Sequence, residues 1–312
     1  CYLQVSTILE YSFKSPYNCT GFIITTMGIE IKILDKLISF FDKLKQKSEQ
    51  ILLDLKYMKF EQQFGEREDD IYVATYLKTG TTWMQMILYQ LTTDGNTDFK
   101  HIYDVSPWPR NSSMRGMPVP DVPSPRILKT HDPYKKFAKG KPGRFIVVLR
   151  DGRDVALSLY HHRKNYNNSK LTFDENFNIS FKDPGEMNWF SHTWEWLNNS
   201  NKHKILYVRY EDLKQNFEHE LNRIAQFIGV EIKPEALPRI IEKSSFAFMK
   251  QHEEKFGEQP PEEKHEIVYN NFIRNGKAGD GSSYLNDEDK AFFSREFKIR
   301  FSQFEQMKKY NT

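Results

Sequence analysis

The chain has 312 residues, 38% apolar and 14% aromatic, with 45 basic against 42 acidic side chains and a formal charge of +3. That is enough apolar material for one large core or two ordinary ones, and the near balance of charge excludes a general nucleic-acid binder, which carries a strong basic excess. The two cysteines, Cys1 and Cys19, both lie among the first twenty residues, so no disulfide framework holds the body, which suits a reducing, cytoplasmic setting.

Residues 1–26 show no clear periodicity and are read as a poorly specified N-terminal extension, followed from Met27 by a single domain over 27–312. No apolar run approaches the roughly 20 residues of a membrane span, and no signal-peptide layout is present, so no membrane partner is expected. Between Ile29 and Leu44, apolar residues recur at Ile33, Leu34, Leu37, Phe41 and Leu44. That spacing predicts a helix, read as a docking helix rather than a membrane-surface one.

The run 70-DIYVATY-76 predicts a buried strand, 77-LKTGTT-82 a glycine loop, and Trp83 to Leu91 a helix. Strand, glycine loop and helix together aim free backbone N–H groups at an anion. Residues 104–125 carry repeated prolines and read as a long loop of the kind that forms lids or substrate walls. The segment 126-RILKTHDP-133 reads as a short strand, 144-RFIVVLR-150 as another with a helix over 151–164, and 204-KILYVRY-210 as a fourth with a helix over 211–230. Strands alternating with helices predict an α/β domain, a central mostly parallel sheet flanked by helices.

Several residues in this frame can carry chemistry. Lys78 precedes Gly80, whereas the usual nucleotide loop puts its lysine after the last glycine. Gly80 allows close backbone approach, and Thr79, Thr81 and Thr82 supply hydroxyls; the bland alternative is an ordinary strand-to-helix turn. Lys129 and His131 end a strand, a usual place for active residues in open α/β sheets, and a histidine there can take a proton. Arg150 ends the third strand and suits phosphate, and Ser158 follows it by two helical turns. Arg274, Asn275, Gly276 and Lys277 form a basic glycine turn. His161 and His162 read as ordinary helical residues. Aromatics such as Trp108 and Tyr166 lie in segments placed to line a pocket, where a core role is the alternative. No zinc-ligand spacing and no nucleophile elbow occur.

Four motifs in order, over about residues 50–280, resemble the cytosolic sulfotransferase family: 76-YLKTGTTW-83, 128-LKTHDP-133, 150-RDGRDVALSLYHH-162 and 272-FIRNGKAGD-280. The resemblance implies a P-loop-like phosphosulfate-binding loop and 3′-phosphoadenosine 5′-phosphosulfate (PAPS) as donor, with no metal. It implies transfer to a hydroxyl or amine of a small, hydrophobic acceptor. By resemblance Lys78 meets the charge on the leaving phosphate, Thr81 and Thr82 bind its oxygens, His131 is the general base, and Lys129 stabilises the transferring group. Ser158, Arg150, Arg274 and Gly276 are implied at the 3′-phosphate, Trp83 and Phe246 around the adenine, and Tyr210 and Ser244 as its polar contacts. An early lysine suits a reaction in which charge builds on the bridging oxygen. Departures are Asn275 for the family's usual lysine, implying weaker 3′-phosphate binding; Gly281 for its tryptophan, implying a looser lid; and 282–293, which lacks the family's dimer segment and leaves monomer and homodimer open. Rival readings are a carbohydrate sulfotransferase, a Mg²⁺-dependent P-loop kinase, and a silent nucleotide-binding protein.

Overall fold

Short runs rich in β-branched and aromatic residues form the sheet. In the computed structural model they are β1 (Ile71–Thr75), β2 (Ile127–Thr130), β3 (Arg144–Leu149) and β4 (Lys204–Arg209), all parallel in the order β2-β1-β3-β4. The structure describes residues 20–95, 98–166, 170–185, 187–257, 272–274 and 276–310, with side chains from 31 on apart from 32 and 166. Two compact units are present, residues 1–61 and 62–312.

Within the larger unit the sheet is covered on both faces, and the alternation of its strands shows how. Tyr72, Ala74, Phe145, Val147 and Leu149 enter one core with Val155, Trp189, Phe190, Phe293 and Phe297. Their neighbours Ile71, Val73, Ile146 and Val148 enter a second core with Met84, Ile87, Leu88, Leu221 and Ile224. Side chains of successive strand residues point to opposite faces, so a run apolar at every position is what a doubly covered strand requires.

The helix after β1 therefore belongs to one layer and the helix after β3 to the other. In chain order the main helices are α1 (Thr20–Phe64), α2 (Thr81–Thr92), α3 (Gly152–Tyr166), α4 (Trp189–Asn198), α5 (Phe217–Ile228), α6 (Phe246–Gln251) and α7 (Asp287–Phe301). Because α2 and α3 leave toward opposite faces, the loops after β1 and β3 part at the carboxyl edge of the sheet. That opening is where open α/β sheets hold ligands. At the opposite edge Arg126 and Asp70 form a buried ion pair at 2.6 Å, which ties the starts of β2 and β1.

Three sequence expectations change. The helix read over 29–44 is one of 45 residues, Thr20–Phe64, and runs through the expected boundary at 26/27. After Gly28 the chain has neither glycine nor proline until Gly65, which takes a left-handed φ of 65° just past the helix end. The helix read over 211–230 is two, Tyr210–Gln215 and α5, broken at Asn216 with φ −138° and ψ 56°. The loop 104–125 contains a short helix, Pro109–Met114, with proline at its first turn, where no N–H is needed.

Candidate active site

The carboxyl ends of β1, β2 and β3 open on a cavity of about 360 Å³. Five cations line it, Lys78, Lys129, Arg150, Lys214 and Arg274, and no carboxylate does among the described residues. These residues come from positions as far apart as 78 and 274; the sheet topology brings them together.

The loop after β1 is held in an unusual shape. Lys78 has φ 63°, a left-handed conformation that disfavours any side chain other than glycine. Gly80, at φ 113°, caps α2, and a Cβ there would stand 3.0 Å from the Tyr210 ring. The Lys78 carbonyl accepts from Arg150 Nη1 at 3.1 Å, while Arg150 Nη2 donates to the Lys277 carbonyl at 3.0 Å. Arg150 also stacks on Tyr210 at 4.3 Å. One guanidinium thus fastens the glycine loop to the 277 segment while its own position is set by an aromatic face. The Lys78 ammonium lies 4.2 Å from the Phe272 ring centre.

His131 sits just past β2 and is buried. Its Nδ1 lies 2.9 Å from the Thr75 carbonyl oxygen, which can only accept, so Nδ1 carries the proton and Nε2 is left with its lone pair. The Thr75 hydroxyl is also 3.2 Å from Nδ1 and 2.6 Å from the Thr81 hydroxyl, which couples the histidine to the first turn of α2. Burial first, and then the positive charge of Lys129, hold the His131 imidazole well below its ordinary value, so it is neutral at pH 7. Lys129 donates to the Tyr103 hydroxyl at 2.8 Å and lies 4.1 Å from the Trp108 ring. Trp108 meets His131 edge to face at 5.0 Å. A neutral imidazole with a free nitrogen, a lysine and an aromatic wall thus share one end of the cavity.

At the other end Trp83, Tyr210, Phe246 and Gly276 line the wall. Trp83 is fixed by a parallel stack on Phe217 at 5.9 Å and by its indole N–H, which donates to the Ser244 carbonyl at 2.8 Å. Gly276 lies so close to Phe246 that a Cβ would come within 2.7 Å of the ring. Ser158 lines the cavity from α3.

The structure does not bring every expected residue to the wall. The Thr79 hydroxyl turns inward and donates to the Tyr76 carbonyl at 2.9 Å, because that carbonyl three residues back is within reach of the buried side chain. Ser244 is fully buried off the wall, and its carbonyl, not its hydroxyl, serves the site by holding Trp83. Asn275 and the side chain of Tyr166 lie outside the described residues. Three polar or charged lining residues escaped the sequence reading, Lys214, His161 and His162, as did the apolar Leu77, Met249, Phe272 and Ile273. The two histidines follow Ser158 by three and four positions, so one face of α3 carries all three to the cavity. That spacing was the available signal, as was Lys214 four residues after Tyr210. Gly281 is buried, its N–H donates to Asp154 at 2.9 Å, and an added Cβ would stand 2.2 Å from the Arg153 backbone. With the Gly279 N–H on the same carboxylate at 2.7 Å, this segment is fastened to the start of α3.

Residues 68–311 match the sulfotransferase domain family. The chain belongs to the sulfotransferase domain family. This sulfotransferase is 31% identical to sulfotransferase 1B1 of Mus musculus over 261 residues, 77% of this chain and 85% of that protein. It is 26% identical to the amine sulfotransferase of Oryctolagus cuniculus over 82% of this chain and 88% of that one. Among solved structures, mouse sulfotransferase SULT7A1 complexed with PAP aligns with a TM-score of 0.62 at 24% identity, covering 78% of this chain and 88% of that one. Retinol dehydratase in complex with androsterone and the inactive cofactor PAP aligns at 0.57 and 22%, covering 78% and 84%. The fold is theirs: a parallel sheet between helical layers.

Proposed function

We propose that this sulfotransferase moves the sulfuryl group of PAPS to the hydroxyl, or amine, of a small hydrophobic acceptor. The observation that carries the reading is the cavity in which Lys78, Lys129, Arg150, Lys214 and Arg274 converge, with no carboxylate among the described residues of its lining. A donor with phosphates at two ends needs such a lining, and a near-neutral chain supplies it only by concentrating cations in one place. The PAP-bound neighbours support the same donor for this chain. The residues fit it: positive loop, open backbone at Gly80, aromatic walls at Trp83 and Phe246.

Lys78 and the first turn of α2, with Thr81 and Thr82, bind the 5′-phosphate and meet the charge that develops on the bridging oxygen as the S–O bond breaks. Arg150, Ser158, Arg274 and Gly276 hold the 3′-phosphate. His131 accepts the acceptor's proton on Nε2 as the new O–S or N–S bond forms, and Lys129 stabilises the sulfuryl oxygens in flight. Trp108 and its neighbours hold the acceptor by apolar contact. No covalent intermediate on the protein is needed, since donor and acceptor approach from opposite ends of one cavity.

Titration with PAP, in the absence of Mg²⁺, tests the donor site. Binding is expected that Lys78→Ala and Arg150→Ala each weaken at least tenfold, with ATP the poorer ligand. Mg²⁺-dependent ATP binding with none for PAP would contradict the reading.

A further inference from the structure

The smaller unit carries a pattern that the sulfotransferase reading does not use. In α1, apolar residues alternate at spacings of three and four through Leu34, Leu37, Phe41, Leu44, Ser48, Ile51, Leu55 and Met58. That is a seam of four a/d pairs, interrupted only by Ser48, and about 36 Å long at 1.5 Å per residue. Each of its seven apolar side chains is between 46% and 61% exposed. The positions behind the seam are polar along its first half: Asp35, Lys36, Ser39, Asp42, Lys43 and Gln46. In its second half Tyr57 is buried and Leu53 and Phe60 are half-buried on that far side, while the seam stays open.

We infer that this seam is a parallel, in-register two-stranded coiled coil with a second copy of the same chain. A strict seven-residue repeat is what a left-handed coil requires, and a helix that merely docks on a body follows 3.6 residues per turn. The flanking charges select the orientation. In the parallel arrangement Asp54 of one chain faces Lys59 of the partner subunit, and this pair occurs twice by symmetry. The other flanking pairs, Ile33 with Ile38, Phe40 with Lys45 and Lys47 with Leu52, contain no like charges. An antiparallel pair with Leu34 against Met58 would centre on residue 46 and set Lys45 beside Lys45 and Lys47 beside Lys47. Ser48 faces its own copy at the middle of the parallel seam. Its hydroxyl already donates to the Lys45 carbonyl of its own helix at 2.8 Å, so burying it leaves no donor unsatisfied. A single polar seam position also serves to pin register.

Sedimentation equilibrium on the full chain at micromolar concentration tests this. The expected mass is that of two chains, falling to one in Phe41→Glu/Ile51→Glu with PAP binding unchanged, since neither residue belongs to the binding machinery. In a Cys1→Ser/Cys19→Ser background, Ser48→Cys is expected to give a disulfide-linked dimer on mild oxidation. A one-chain mass for the parent, or a dimer that the double variant leaves intact, would overturn the proposal. Failure of Ser48→Cys to cross-link in a dimer would overturn its parallel register. A monomeric parent that floats with anionic phospholipid vesicles would reassign the seam to a membrane surface.

Discussion

Replacing Lys129 by methionine keeps the length of the side chain and removes its charge. The ammonium lies 4.1 Å from the Trp108 ring and the His131 ring 5.0 Å from it, so the two groups are at most about 9 Å apart, those distances laid end to end. At an effective dielectric of about 20 that repulsion is roughly 2 kcal/mol, a little over one pH unit. The direction follows from the imidazole's low value, caused first by burial and next by Lys129. The acid limb of kcat/KM for acceptor in the parent is expected well below pH 6.5. In Lys129→Met it moves up by about one unit yet stays below 6.5, because burial persists. Loss of the cation from the transferring group lowers kcat about a hundredfold as well. Profiles from pH 4.5 to 8 with labelled donor read both effects, and Lys129→Arg is expected to restore the limb. A parent limb at 6.5 or above, or no upward movement in Lys129→Met, would refute His131 as the base under Lys129's field.

His192 is buried and pushed down to about 4, mainly by burial. Its folded value lies below its unfolded one, so the unfolded chain gains the extra proton as pH falls from 6.5 toward 4. Stability on the order of 3 kcal/mol is lost across that window, and His131 adds in the same direction. Urea midpoints at pH 7.5 and 4.5 show this, and His192→Phe is expected to shrink the difference; equal midpoints in the parent contradict it. Arg126→Ala leaves Asp70 charged and fully buried, and is expected to cost about 3–5 kcal/mol in urea unfolding with little change in KM for donor. Gly281→Ala places a Cβ 2.2 Å from the Arg153 backbone and is expected to lower the melting temperature and weaken PAP binding several-fold, whereas Gly257→Ala, with nothing nearer than 3.9 Å among the described residues, is expected to be neutral.

The sheet and the core of the site were legible because they depend on local pattern. Strand runs such as 145-FIVVL-149 are apolar throughout, and Lys78, Lys129, His131 and Arg150 all stand at or just after strand ends. What escaped depends on orientation within an element. His161 and His162 looked idle when read singly; only the face shared with Ser158 sends them to the cavity. The break at Asn216 left no trace in the stripe Leu213, Phe217, Leu221, since two short helices keep the same phase as one long one. Thr79 reads as a ligand in any glycine loop, yet its hydroxyl turns inward to a carbonyl of the same loop. The length of α1 was readable from the absence of glycine and proline after Gly28, but the stripe followed over 29–44 stopped short of the heptads that continue to Met58.

In the proposed reaction one cavity holds a sulfated nucleotide at its cationic end and a proton acceptor at its aromatic end. Transfer of labelled sulfuryl groups from PAPS to a panel of phenols, aliphatic alcohols and amines, without added metal, tests it most directly when the parent is compared with His131→Gln. A labelled sulfate ester or sulfamate is expected from the parent. In His131→Gln turnover is expected to be lower by a hundredfold or more, with PAP affinity within about twofold. PAP binding without transfer to any acceptor class, or turnover that survives His131→Gln, would contradict it.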